Sequence, residues 1–410
     1  MNNAQTKWPT RKLAACGEWV SGGTPSKRVE AYWKGNIPWI SSKSLKSFDL
    51  SDSEDRITQA AVDGGTSLVP TGTVMFVVRG MSLANEFRVG VATRPVAFNQ
   101  DLRAIVPAED IDGRYLAHFL KATEQAIIGM ANNASHGTKR LPTEMIGSVG
   151  VPVPPIKVQR RIAAILDRAA TVRRKRVKGI MLTDELLRST FLEMFGDPAT
   201  NSKGWKMLPV SSVVKEMEGG KSILADADDS ASTPYRVLKV SAVTWADYRP
   251  HESKPVPVGY VPPPSHIVKR GDLLFSRANT TELVGATVYV FDTPPNRLLP
   301  DKLWRFVWRD TEAVDPQYIH VLFMTAAIKR ELGKRATGTS GSMKNISKAK
   351  LMTIPIPVPP VDLQRKFGQF AMAQHRLLTE RREGATATAD LFGSLVQRAF
   401  RGELMSTEGE

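Results

Sequence analysis

A single cysteine, Cys16, stands in 410 residues. It excludes an internal disulfide framework and any multi-cysteine metal site, and it fits a reducing compartment. The six histidines are scattered without metal-ligand spacing and form no His-Glu-x-x-His pair. Long hydrophobic runs are missing too. The longest apolar stretches, such as Val74-Met75-Phe76-Val77-Val78, are strand-sized and far short of a membrane span. Met1 to Trp8 has no apolar core of signal-peptide length. The expectation is a soluble, cytoplasmic chain with no membrane partner.

Catalytic signatures are equally scarce. There is no Gly-x-x-x-x-Gly-Lys-Ser/Thr phosphate loop and no Gly-x-Gly-x-x-Gly after a strand. Asp226, Asp228 and Asp229 crowd together but lack the glycine and terminal glutamate of a calcium loop, and they read as a solvated acidic loop. Asp292-Thr293-Pro294-Pro295-Asn296 is similar to the Asn/Asp-Pro-Pro-aromatic motif of amino-methyltransferases. The inserted threonine and absent aromatic make it a turn instead. No catalytic residue and no metal ligand is assigned.

What the chain does have is positive charge: 56 basic against 41 acidic residues, net +15. A polyanion is the leading candidate partner, the alternative being charge that serves solubility alone. The length suits two or three domains, and the 42% apolar composition is that of a globular protein.

It also has a duplication. Val151-Pro152-Val153-Pro154-Pro155-Ile156-Lys157-Val158-Gln159-Arg160-Arg161 returns as Ile356-Pro357-Val358-Pro359-Pro360-Val361-Asp362-Leu363-Gln364-Arg365-Lys366, 205 residues on. Proline fixes φ and excludes helix before it, so each copy is an extended segment that opens a helix. Trp8 pairs with Trp205, Gly22-Gly23 with Gly219-Gly220, Tyr115 with Tyr318 and Lys139 with Lys344, at slowly drifting offsets. On letter matching, Arg79 pairs with Arg277. Ordered matches of this kind signal a repeat with small loop insertions. The chain therefore divides into a first domain over 1–155, a long helix over 156–200, a second domain over 201–360 and a second long helix over 361–405. Each domain reads as α+β. Short apolar runs at Val74–Val78, Val89–Ala92 and Leu102–Val106 predict strands, followed by a helix from Tyr115 to Met130. Leu303–Trp308 and a helix from Pro316 to Leu332 repeat that order.

Positions 158, 162, 165, 169 and 172 step by four and three, which is a coiled-coil seam. Leu363, Phe367, Phe370, Gln374 and Leu377 fall on the same register. The seam weakens at Arg176/Gly179 and Arg381/Gly384, again 205 apart. Two helices packed on each other are expected. At 1.5 Å per residue each spans roughly 60 Å.

Basic residues in the loops between strands suit contact with DNA phosphates and base edges. The DNA-binding candidates in the first domain are Lys43, Lys46, Arg79, Arg88, Lys139 and Arg140. In the second they are Arg277, Lys302, Arg305 and Lys344. Arg173-Arg174-Lys175-Arg176-Val177-Lys178 is either a nucleic-acid patch or a solvated or partner-facing helix surface.

Several pieces together carry a family resemblance. They are Gly22-Gly23-Thr24-Pro25-Ser26, Tyr32-Trp33, Ile37-Pro38-Trp39-Ile40, Arg79-Gly80, Asn99-Gln100 and the doubled Pro-Val-Pro-Pro-x-x-x-Gln-Arg. In the second half stand Gly271-Asp272-Leu273-Leu274-Phe275-Ser276-Arg277 and the Gly338–Lys344 loop. The chain resembles the specificity (S) subunits of type I restriction–modification systems. The second half departs from the pattern, with Gly219-Gly220-Lys221-Ser222 lacking Thr-Pro. The resemblance implies two target-recognition domains separated by two long antiparallel coiled-coil helices. It further implies sequence-specific recognition of a bipartite double-stranded DNA site. Two methyltransferase (modification) subunits and restriction subunits are the implied partners. S-adenosylmethionine, ATP and magnesium would sit on those partners, and this chain would bind no cofactor and have no enzyme activity of its own. A standalone DNA methyltransferase or nuclease with an unrecognised site, or a basic coiled-coil scaffold, are the alternatives left by the residues alone.

Overall fold

The computed structural model describes residues 7–134, 139–223, 233–244, 247–338 and 343–404. It divides into two compact units, residues 1–177 with 383–410, and residues 178–382. Among the described residues no helix is long and apolar enough to cross a membrane.

The first unit is built on a five-stranded sheet of β1 (Gly17–Ser21), β2 (Asp49–Leu50), β3 (Val74–Val77), β4 (Val89–Ala92) and β5 (Leu102–Pro107), in the order β1-β5-β3-β4-β2. β3 reads as an unbroken apolar run because both of its faces are covered. Val74 and Phe76 join one core with Ile105, while Met75 and Val77 join another with Leu102 and Ala104. The lone cysteine belongs to the first of these cores, where burial pushes the Cys16 thiol up to about 11 and leaves it unreactive. A second sheet pairs Arg56–Ile57, Trp33–Ile40, Val96–Phe98 and Leu68–Val69.

α1 (Gly113–Ala122) is capped by Asp112, whose carboxylate accepts from Tyr115 N at 2.9 Å. It lays Tyr115, Leu116, Phe119 and Leu120 on the sheet. The single helix expected from Tyr115 to Met130 is two, broken at Thr123, with Glu124–Ala134 following. Thr123 departs from helical geometry at φ −94°, ψ 10°, and its Oγ1 donates to the Phe119 carbonyl at 3.1 Å.

The proline-rich stretch first pairs as a strand, Gly150–Pro152 on Thr10–Lys12, and then opens α2 (Ile156–Phe195). The second unit repeats the plan. β6 (Val214–Gly219), β7 (Leu273–Ser276), β8 (Thr287–Tyr289) and β9 (Leu303–Trp308) form a sheet in the order β6-β9-β7-β8. α3 (Pro316–Met324) follows, and Thr325 again stops the expected longer helix. Pro355–Val358 then pairs with Lys206–Pro209, and α4 (Val361–Arg401) begins three residues later.

The two long helices contribute to both units, and within each unit they pack antiparallel. In the first unit Ile162, Ala163 and Leu166 share a core with Ala399 and Phe400, and the Arg173 guanidinium lies 4.7 Å from the Phe392 ring. In the second, Phe191 and Phe195 each stand 5.4 Å from Phe367. Near the start of the first long helix the buried residues are Gln159, Ile162, Ala163 and Leu166, so of the expected seam only Ile162 is buried while Val158, Ile165 and Ala169 are half-buried. There the helix is covered by the globular core as well as by its helical neighbour. Farther along, Val172 is 45% exposed.

The weak point of the seam has a definite structure. Arg381 donates to the Gly179 carbonyl at 2.6 Å and to Thr183 Oγ1 at 2.8 Å. In the other unit the repeat-equivalent Arg176 reaches the place where a Cβ on Gly384 would stand. Each central glycine makes room for an arginine of the opposite helix.

Candidate nucleic-acid interface

Each domain is fastened to its helix by the same hydrogen bonds. Gln159, fully buried, donates to the Asp110 and Pro154 carbonyls at 2.9 and 2.8 Å, and its Oε1 accepts from Asp112 N at 2.9 Å. Gln364, also fully buried, donates to the Pro359 carbonyl at 2.8 Å and accepts from Asp315 N at 3.1 Å. Tyr115 and Tyr318 donate their phenol protons to the Pro152 and Pro357 carbonyls, both at 2.8 Å. Burial pushes both phenols far up, so they stay protonated donors. Buried side chains bonding to backbone on both sides make each proline-rich stretch a locked joint.

Strand register places the basic candidates. In the first unit Leu102 faces Val77 and Arg103 faces Phe76; in the second Leu303 faces Ser276 and Trp304 faces Phe275. Val78 is therefore the counterpart of Arg277, and Arg79 of Ala278. The letter match of Arg79 with Arg277 is off by one, and one residue in a strand reverses the face. The Lys139–Lys344 match holds, since Arg79 bridges Arg140 where Ala278 pairs with Asn345.

Arg79, Lys139 and Arg140 come together at one end of the first sheet. Arg79 bridges Arg140, and Gly80 N donates to the Lys139 carbonyl at 3.1 Å. Arg79 and Arg140 are exposed. Lys43 and Lys46 are exposed on the turns after Trp33–Ile40. Arg88 sits behind them, its guanidinium on Glu86 at 2.8 Å and the Ser42 carbonyl at 3.0 Å.

The matching end of the second sheet gathers Arg277, Lys302 and Lys344. Arg277 N donates to the Lys302 carbonyl at 3.1 Å, and Ile346 N to the Arg277 carbonyl at 3.0 Å. Lys344 pairs with Asn279 and donates through Nζ to the Gly338 carbonyl at 2.8 Å. Residues 137–138 and 339–342 of the two loops lie outside the described residues, as do Asp226, Asp228 and Asp229. Arg305 is not brought to this cluster. Its side chain is 12% exposed and bound by Glu218, Asp272 and the Ser265 and Ile267 carbonyls. Burial opposes its charge, but those carboxylates hold its pKa above the ordinary value. Arg305 ties the sheet together.

Other features have structural occupations. Among the basic helix run, Arg173 stacks on Phe392 and Arg174 donates to Thr171 Oγ1 at 3.0 Å. Thr293 Oγ1 and the Tyr248 hydroxyl share a hydrogen bond at 2.8 Å, and Asn296 donates to the Pro234 carbonyl, so the Asp292–Asn296 segment is a pinned turn. The conspicuous Gly-Gly-Thr-Pro-Ser and Ile-Pro-Trp segments meet each other, Trp39 Nε1 donating to the Gly23 carbonyl at 3.0 Å and Trp33 Nε1 to Ser26 at 3.2 Å. Among the described residues no group of histidine, cysteine and carboxylate side chains could hold a metal ion.

The fold, α+β units with two long helices, is shared with solved type I restriction–modification S subunits. An S subunit from M. genitalium superposes over 98% of both chains with a TM-score of 0.62 at 13% identity. A chain from a structure of type I R-M complex assembly and conformational transition covers 97% of this chain and 98% of its own, with a TM-score of 0.51 at 16% identity.

Residues 5–174 match the family model described as the type I restriction modification DNA specificity domain, so the first unit carries such a domain. The EcoR124I/EcoR124II specificity subunit of Escherichia coli is 32% identical over 189 residues, 46% of each chain. The MjaIX specificity subunit of Methanocaldococcus jannaschii is 25% identical over 234 residues, 52% of this chain and 53% of that one. The chain spans about half the length of these two relatives. The MjaVIII specificity subunit of the same organism aligns over 92% of this chain and 88% of its own at 19% identity.

Proposed function

We propose that this chain is the non-catalytic DNA-recognition subunit of a type I restriction–modification complex, reading a bipartite site with one domain per half-site. The supporting observation is the repetition of a basic sheet end. Lys139 and Lys344 occupy the same structural position in two domains, and each domain is locked by a buried glutamine to a helix of 40 or 41 residues. In this reading residues 1–155 and 201–360 are the target-recognition domains. The helices act as a spacer that sets the distance between half-sites, one duplex turn being about 34 Å. Lys43, Lys46, Arg79, Lys139, Arg140, Lys302 and Lys344 face the DNA, with Arg277 beside them. Arg88 and Arg305 support the loops and sheet from behind. Two methyltransferase subunits dock on the chain and bring S-adenosylmethionine, and restriction subunits bring ATP and magnesium chemistry.

The test is to reconstitute the complex with its methyltransferase partners and map the methylated sites. Two short half-sites at a fixed spacing are expected, with affinity falling steeply as salt rises. One continuous site, or turnover by the chain alone with DNA, magnesium and S-adenosylmethionine, would overturn the proposal. Binding that salt barely weakens would mark a scaffold instead.

A further inference from the structure

We propose that Arg277 reads a guanine in the half-site bound by the second domain, and that Trp304 is the positioning residue that holds it ready. This inference rests on the DNA-recognition reading above and deepens it.

The Arg277 guanidinium lies 5.4 Å from the centre of the Trp304 ring, and Lys348 Nζ lies 5.8 Å from that same ring. Two cations share one indole. The ring neutralises neither of them, which suits an electron-rich group arriving from outside. Arg277 Nε is buried and meets no acceptor among the described residues, and no carboxylate there pairs with either cation. Next along the strand from Trp304, Arg305 shows the opposite treatment, with Glu218 and Asp272 on its guanidinium. Where an arginine serves the sheet, this fold supplies its acceptors; for Arg277 it supplies a platform.

The platform is firm. Trp304 is 4% exposed and stacks on Phe275 at 6.1 Å with 12° between the rings. Its edge fits over Gly219, where a Cβ would stand 2.7 Å from Trp304 Cδ1. A planar guanidinium on a fixed ring presents its fork in one orientation, which suits the paired O6 and N7 acceptors of guanine.

Comparison of the repeats separates base from phosphate. Lys139 and Lys344 are the same residue at the same position, which suits the phosphates common to both half-sites. Arg277, Trp304 and Lys348 are matched in the first domain by Val78, Arg103 and Thr143. A group present in one domain alone suits what differs between half-sites, and that is the bases.

The test uses the reconstituted complex with the full chain and DNA carrying each single base-pair change. Arg277→Gln is expected to abolish a preference of about tenfold or more for G·C at one position of one half-site, leaving the other positions and the salt slope unchanged. Arg277→Lys keeps the charge but loses the fork, and is expected to lose the same preference. Trp304→Phe should weaken it at that same base pair. A uniform loss over all sequences with the salt slope reduced by about one would make Arg277 a phosphate contact and overturn the inference. Unchanged preference in both Arg277 variants would overturn it too. Absence of any sequence preference in the unsubstituted complex would instead overturn the underlying recognition reading.

Discussion

Gln159 and Gln364 are polar side chains with no exposed surface, and each closes a joint by bonding backbone on both sides. Gln159→Leu keeps the volume and leaves the Asp110 and Pro154 carbonyls and Asp112 N unsatisfied, at a cost on the order of 3 kcal/mol readable by chemical denaturation. The doubled Pro-Pro-x-x-x-Gln was legible as a mark of the helix start. Its burial was not, because composition treats glutamine as a surface residue. His320 makes a second residue-scale prediction. Burial lowers its pKa from 6.5 to about 4, with Nδ1 on Thr287 Oγ1 at 3.1 Å. The folded state therefore favours the neutral ring, while the unfolded chain takes up a proton near its ordinary value. Stability that is full above about pH 6.5 is lost as pH falls toward 4, by about 3 kcal/mol. His320→Asn should flatten that acid limb in urea titrations run across the same range.

At the level of elements, the helix pair carries a polar crossing inside an apolar seam. Arg381→Met removes two hydrogen bonds, to the Gly179 carbonyl and Thr183 Oγ1, and should lower stability by about 1–2 kcal/mol in thermal melts. The matching glycines were visible in the sequence as a break in the pattern. That they admit an arginine from the opposite helix requires three dimensions. Strands were legible as apolar runs, buried on both faces at Val74–Val77 and partly so at Leu303–Trp308. Their register was not. Matching letters joined Arg79 to Arg277, whereas hydrogen-bonded pairing joins Arg79 to Ala278. The same limit hid the fate of Arg305, whose carboxylate partners Glu218 and Asp272 come from other segments of its sheet.

For the whole molecule, the compact units do not follow the order of the chain. The first unit takes residues 383–410 from the far end, and Phe392, Leu395, Val396, Ala399 and Phe400 complete its core. An exchange of half-site preference should therefore use residues 178–382 from a related chain, and methylation mapping should show one half-site changed and the other kept. Exchanging residues 198–405 would also replace the side chains that cover Tyr115 and Phe119. The arrangement has a consequence during synthesis. At about 5–20 residues per second, a ribosome finishes Phe400 on the order of 10–50 s after Leu166. Through that interval the nascent first unit carries an uncovered apolar face around Tyr115 and Phe119, a natural target for chaperones until the last helix emerges.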